Sequence, residues 1–354
     1  MTRLALPARP RILVVALRRL GDVLLTTPLI RSLRRSWPDA TVDVLLFAET
    51  SGILRGNPDV NAVIEMPARP SALQSAALAA RLWRRYDLAV STQSGDRPSF
   101  FALVAGKKSA GLHDDTGNGR VKRALHTRSL AVAPGVHRVE EMLQLADAIG
   151  IDRDPHVVGP DPRACPAAPD GAYAVIHAAP MFRYKQWTGE GWRAFAAALA
   201  ARGVAVVATG GPAAAERRYL DDIWTGTTVH RADGVLDWPQ LSGLLSKAQL
   251  YVGPDTSVTH LAAASGCPTV ALYGPTDPRL WGPWPAGGLA SPWEATGQIQ
   301  NRGNVWLVQN PFPCTPCQLE GCERSLASDS QCLVQLPVER VVAAADMALS
   351  AAKN

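Results

Sequence analysis

The sequence predicts an α/β protein of two doubly wound domains. Three observations carry that expectation. At 354 residues the chain is too long for one ordinary core. Short apolar runs alternate with amphipathic stretches in both halves. A proline-rich stretch, 152–171, separates the halves and reads as a linker.

The elements follow in order. Residues 11–17, RILVVAL, form the unbroken apolar run of a buried parallel strand. Arg18-Arg19-Leu20-Gly21-Asp22 then turns into VLLTTPLIRSLRRSWP, where Leu29, Ile30 and Leu33 recur at helical spacing among basic residues. Pro28 either kinks that helix or restarts it with Thr27 as cap. Strands are expected at 41–47 and 60–66, an amphipathic helix at 71–85 and a strand at 87–92, an alternation that predicts a right-handed parallel sheet. Residues 94–123, rich in Gly, Lys, Arg and Asp, read as a polar connection with two short elements, part of it an active-site loop. A helix at 139–149 precedes the linker, and the first domain is set at 1–155.

The second half repeats the theme. Strands are expected at 172–177 and 204–209, helices at 191–202, 213–223 and 236–247. The second domain is set at 156–336, and a C-terminal helix segment, 337–354, is expected to pack back toward the first domain.

The most informative stretch is 250–278, LYVGPDTSVTHLAAASGCPTVALYGPTDP, which reads strand, polar turn, helix, strand. Asp255 and Thr256 stand where helix caps belong, so the free N–H groups of the first turn and the helix dipole make a seat for an anion. His260 follows Thr256 by four residues and Ser257 by three, which places all three on one helix face. The plain alternative is a capped α/β unit whose histidine is merely hydrogen-bonded. No G-x-G-x-x-G or Walker sequence follows the first strand, which weighs against the usual dinucleotide and P-loop sites.

The net charge of +5 is unevenly spread: residues 1–165 carry 23 Lys and Arg against 16 Asp and Glu, the remainder 13 against 15. A basic first half attracts anions, and without aromatics among its basic residues it suits an anionic substrate or a lipid surface better than nucleic acid. No apolar run reaches the length of a membrane span, and the run at 12–17 is too short for a signal peptide, so a cytoplasmic protein is expected. Cys314, Cys317, Cys322 and Cys332 share one short segment. Such a cluster suggests metal or redox chemistry, but its spacing matches no standard zinc module, and a reduced loop is the preferred reading over a structural metal.

Taken together, Gly21-Asp22-Val23-Leu24-Leu25-Thr26-Thr27-Pro28, then Asp255-Thr256-Ser257 with His260, and Gly274-Pro275-Thr276-Asp277-Pro278 resemble the lipopolysaccharide heptosyltransferase family (ADP-heptose:LPS heptosyltransferase, glycosyltransferase family 9). The resemblance implies a GT-B fold, two Rossmann-like domains facing a central cleft. It implies inverting transfer from ADP-heptose, bound mainly by the C-terminal domain, to an inner-core oligosaccharide on lipid A, met by the N-terminal one. Asp22 matches the family's general base, with a helix cap as its plain alternative. Lys185 resembles the phosphate-binding lysine and Glu216 the glutamate that holds the ribose. The amides of Thr256 and Ser257, beside His260, would hold the diphosphate, with Asp255 orienting their loop as its cap. Arg18 and Arg19 would clamp acceptor phosphate or Kdo carboxylate. At 179–180 the family often has Thr or Ser, where this chain has Ala179 and Pro180. The resemblance implies no catalytic metal, no nucleic-acid partner, and work at the cytoplasmic face of the inner membrane in a Gram-negative envelope. Two other readings stand beside it: a transferase of the same scaffold for another nucleotide sugar, and a non-catalytic nucleotide- or nucleic-acid-binding α/β protein with a Cys metal clip.

Overall fold

The unbroken apolar run at 11–17 becomes the centre of a sheet. Ile12 to Ala16 are fully buried, as a strand covered on both faces must be. The computed structural model describes residues 2–114 and 117–352. Asp115 and Thr116 of the expected 94–123 connection, and Lys353 and Asn354 of the 337–354 segment, lie outside the described residues. The chain divides into two compact units, 1–161 and 162–354.

The first unit runs β1 (Arg11–Ala16), α1 (Leu20–Leu24), α2 (Thr27–Ser36), β2 (Thr41–Phe47), β3 (Ala62–Met66), α3 (Ala72–Leu82), β4 (Tyr86–Ser91), α4 (Asp96–Ala105), β5 (Gly106–His113), α5 (Gly117–Leu125), β6 (Arg128–Ala131) and α6 (Arg138–Ile149). Its strands are all parallel in the order β3-β2-β1-β4-β5-β6, the Rossmann arrangement. Strand order reverses between β1 and β4, and Thr92 N donates to Val15 O at 3.1 Å to join the two strand ends. Of the two readings for Pro28 the restart holds, but the cap is Thr26 and Thr27 is the first helical residue. The polar connection expected at 94–123 is instead α4, β5 and the start of α5. In β5 the glycines are packing residues: a Cβ on Gly111 would come within 2.8 Å of the His126 ring.

The linker's first part belongs to this unit. Asp154 is buried and pairs with Arg35 at 2.8 Å and Arg31 at 3.4 Å, while Val158 N donates to Thr27 Oγ1 at 2.9 Å. Those ties to α2 carry the unit to residue 161, past the boundary expected at 155.

The second unit runs β7 (Tyr173–His177), α7 (Gly189–Ala200), β8 (Ala205–Thr209), α8 (Ala214–Trp224), β9 (His230–Arg231), α9 (Trp238–Lys247), β10 (Leu250–Pro254), α10 (Ser257–Ala264), β11 (Thr269–Tyr273), α11 (Pro278–Trp281), β12 (Ile299–Arg302), β13 (Val305–Gln309), α12 (Gln331–Val334) and α13 (Val338–Ala351). The sheet order is β12-β13-β11-β10-β7-β8-β9, with β12 antiparallel at its edge. Strand order reverses between β7 and β10. Trp187 and Trp192, with ring centroids 5.0 Å apart, anchor a core to which α13 contributes Val341, Ala344, Ala345 and Ala348. The final helix packs on the sheet of its own unit, against β10, β11, β13 and α7.

Candidate active site

In open α/β sheets, ligands bind beyond the carboxyl ends of the strands where strand order reverses. Asp22, Lys185 and Asp255 follow strands at such a reversal, whereas Glu216 follows β8.

In the first unit, β1 ends at Ala16 and Arg18 to Asp22 follow it. Asp22 is the third residue of α1, whose preceding residue is Arg19, so the helix-cap alternative for Asp22 does not hold. Arg18 Nη1 donates to Asp22 Oδ1 at 3.0 Å. Arg138 Nε lies 3.9 Å from the same oxygen. Asp22 Oδ2 has no partner among the described residues. Arg19 is exposed. Arg138 was not foreseen. It is buried, donates to Thr92 O at 2.8 Å, and pairs with Glu141. Burial presses its guanidinium below its ordinary value, with Glu141 and Asp22 pulling the other way. Gln93, just beyond β4, is buried with Nε2 unpartnered among the described residues.

In the second unit, β7 leads to Lys185 and β10 leads to Asp255. The two side chains form an ion pair. Thr276 Oγ1 donates to Asp255 Oδ2 at 2.7 Å, Tyr273 OH donates to Oδ1 at 3.4 Å, and His260 Nε2 lies 3.9 Å from Oδ1. Burial alone would raise the Asp255 carboxyl. Lys185 and His260, with the hydrogen bonds from Lys185 and Thr276, outweigh it and hold the group below its ordinary value. Contrary to expectation, Asp255 is not the cap of α10. Thr256 takes that place, accepting from Thr259 N at 3.3 Å, and Ser257 opens the helix. Asp255 orients the lysine instead.

Glu216, in the first turn of α8, accepts from Gly211 N at 2.5 Å and so closes the glycine turn after β8. It is not a solvated helix residue. Nothing in the described contacts joins it to the Lys185–Asp255 group.

The Cys-rich segment fastens this site from behind. Arg183 forms a forked pair with Asp329 at 2.8 and 2.9 Å, Ser330 Oγ donates to Tyr184 O at 2.6 Å, and Trp187 Nε1 donates to Leu336 O at 3.0 Å. Gln318 N donates to Pro275 O at 2.7 Å, and a Cβ on Gly274 would meet Leu333 at 2.7 Å and Cys332 Sγ at 3.2 Å. The loops of Lys185 and Thr276 are thus both tied to one segment. All six cysteines are free thiols. Burial above all pushes Cys332 up to about 11, and the neighbouring Cys317, Cys322 and Cys314 add to that. Among the described residues no three His, Cys, Asp or Glu side chains gather as a metal site.

The sequence profile of glycosyltransferase family 9 (heptosyltransferase) matches residues 75–290. The chain belongs to glycosyltransferase family 9. It is a glycosyltransferase related to lipopolysaccharide heptosyltransferases. A family 9 relative, lipopolysaccharide heptosyltransferase 3 of Escherichia coli, is 30% identical over 75% of this chain and 83% of its own length. The family 9 fold recurs in the glycosyl transferase family 9 structure from Veillonella parvula, at TM-score 0.77 and 18% identity over 99% of this chain and all of that one. It recurs again in E. coli heptosyltransferase WaaC with ADP-2-deoxy-2-fluoro heptose, at TM-score 0.69 and 21% identity over 95% of this chain and 99% of that one. The fold is GT-B, with two Rossmann-like units.

Proposed function

We propose that this chain transfers heptose from ADP-heptose to the inner core of lipopolysaccharide with inversion at the anomeric carbon. The observation that carries this reading is the Asp22 carboxylate, held on Oδ1 by Arg18 and open on Oδ2 at the strand-order reversal of its sheet. An acceptor hydroxyl gives its proton to Oδ2 as its oxygen bonds to the anomeric carbon. The bond from that carbon to the diphosphate oxygen breaks in the same displacement, and ADP leaves with the electron pair. The leaving diphosphate gains charge, which Lys185 and the free N–H groups at Thr256 and Ser257 compensate. Asp255, Thr276 and His260 hold that lysine and loop in place. Glu216 serves the ribose through its second carboxylate oxygen. Arg18 and Arg19 meet the acceptor's phosphate or carboxylate groups.

Support for ADP-heptose as donor comes from the WaaC complex with its fluorinated analogue. The acceptor is lipid-linked, so the enzyme works against the cytoplasmic face of the inner membrane. No helix among the described residues is long and apolar enough to cross a membrane. The test is turnover with ADP-heptose, ADP-glucose and UDP-sugars against truncated core acceptors. Transfer of another sugar in preference to heptose overturns the donor assignment and leaves the same-scaffold alternative in its place.

A further inference from the structure

Helix α3 is apolar on two opposite faces. Its inner stripe, 75, 78, 79 and 82, packs Leu78, Ala79 and Leu82 against the core of the first unit. Its outer stripe, 73, 76, 77 and 80, has the same i, i+3, i+4, i+7 spacing and reads Leu-Ala-Ala-Ala, and Trp83 follows directly after the helix. A soluble surface helix carries polar residues there. Here Leu73 is 80% exposed, Trp83 65%, and Phe100 of the adjoining α4 49%.

Arginines outnumber carboxylates around this face. Arg69, Arg81, Arg84 and Arg85 fall between Glu65 and Asp87 with no acidic residue among them. The end of α3 opens on a pocket of about 500 Å³ lined by Arg11, Arg81, Arg85 and Tyr86, with Glu65 as its one carboxylate. A second copy docking with its two-fold axis at this arginine-rich end would set arginines against arginines. An anionic bilayer surface matches both properties: apolar side chains with a tryptophan enter the headgroup boundary, and arginines meet lipid phosphates.

We infer that α3 and its arginine-rich end are the surface by which this enzyme docks on anionic lipid. This deepens the proposed function, on which the need for a membrane rests. The helix leads from the carboxyl end of β3 to the start of β4, so its first turn lies at the sheet end that carries Asp22. A helix lying flat on the bilayer thus keeps the base near the plane from which a lipid-linked sugar projects.

The full chain is sedimented with vesicles of phosphatidylglycerol and phosphatidylcholine, and with phosphatidylcholine alone. Binding is expected to the first and not the second, and to weaken with salt. The R81Q/R85Q variant should bind about five-fold more weakly per arginine removed. L73Q/W83Q should lose roughly ten-fold or more, with thermal unfolding unchanged. Both variants should retain kcat/KM on a delipidated soluble acceptor and lose it on the vesicle-embedded one. Equal vesicle binding by wild type and variants overturns the inference, as does a wild-type dimer that L73Q/W83Q dissociates, or an acidic protein partner bound in place of lipid. A failure of heptose transfer itself would show on the soluble acceptor and would leave the sedimentation result standing.

Discussion

Arg18 holds Asp22 by one oxygen, donating to Oδ1 at 3.0 Å and leaving Oδ2 without a partner among the described residues. A general base needs a fixed carboxylate with a free lone pair, and this pairing supplies both. Asp22→Asn should therefore lower kcat by roughly 10²–10⁴-fold. ADP binding measured by calorimetry should stay close to that of the wild type. Substantial turnover in the variant would remove Asp22 from the mechanism.

Lys185 and Asp255 form a largely buried pair, and removing one partner strands the other. Lys185→Ala is expected to cost about 2–4 kcal/mol in denaturant unfolding and to raise the KM for ADP-heptose by roughly 10- to 100-fold. The double variant Lys185→Ala/Asp255→Asn should regain much of the stability while donor binding stays weak. Recovery of both together would make the pair purely structural.

Glu216 closes the turn at Gly211 through one oxygen. Glu216→Gln keeps an acceptor for that N–H and should unfold like the wild type, whereas Glu216→Ala should lose about 1 kcal/mol. Both should weaken ADP by roughly ten-fold if the carboxylate serves the ribose diol. Unchanged ADP affinity in both would confine Glu216 to the turn.

Two buried histidines set the acid limb of stability. Burial lowers both His126 and His177 to about 4. Below about pH 6.5 the unfolded chain binds protons there that the folded protein does not, so stability falls with pH from about 6.5 down to about 4. At pH 5 each histidine should cost roughly 2 kcal/mol relative to pH 7. His126→Asn and His177→Asn should each flatten the profile in that window. Asp255 works in a lower one: its depressed carboxyl adds stability above about pH 4 that is lost as pH falls further.

The fold was legible wherever apolar side chains ran together. The runs that became β1, β2 and β7 announced themselves, and the strand-turn-helix order placed Asp22, Lys185 and Asp255 at strand ends. Strand β5 did not, because Gly106, Lys107, Lys108 and Gly111 conceal a strand whose glycines are required by close packing. Arg138 escaped for another reason: its partner Asp22 lies in a distant part of the chain, and only folding brings them together. Asp255 was placed correctly and assigned the wrong task. A cap can be read from adjacent residues, but a lysine seventy positions away cannot.

The bond from Ser330 to the Tyr184 carbonyl spans 146 residues of sequence. It sets an order on synthesis. A ribosome that has released β7, β10 and α10 has supplied Lys185, Asp255, Thr256 and His260, yet the loop carrying Lys185 still lacks Asp329, Ser330 and Leu336. The loop carrying Lys185 is therefore fully tied down only when almost the whole polypeptide has emerged.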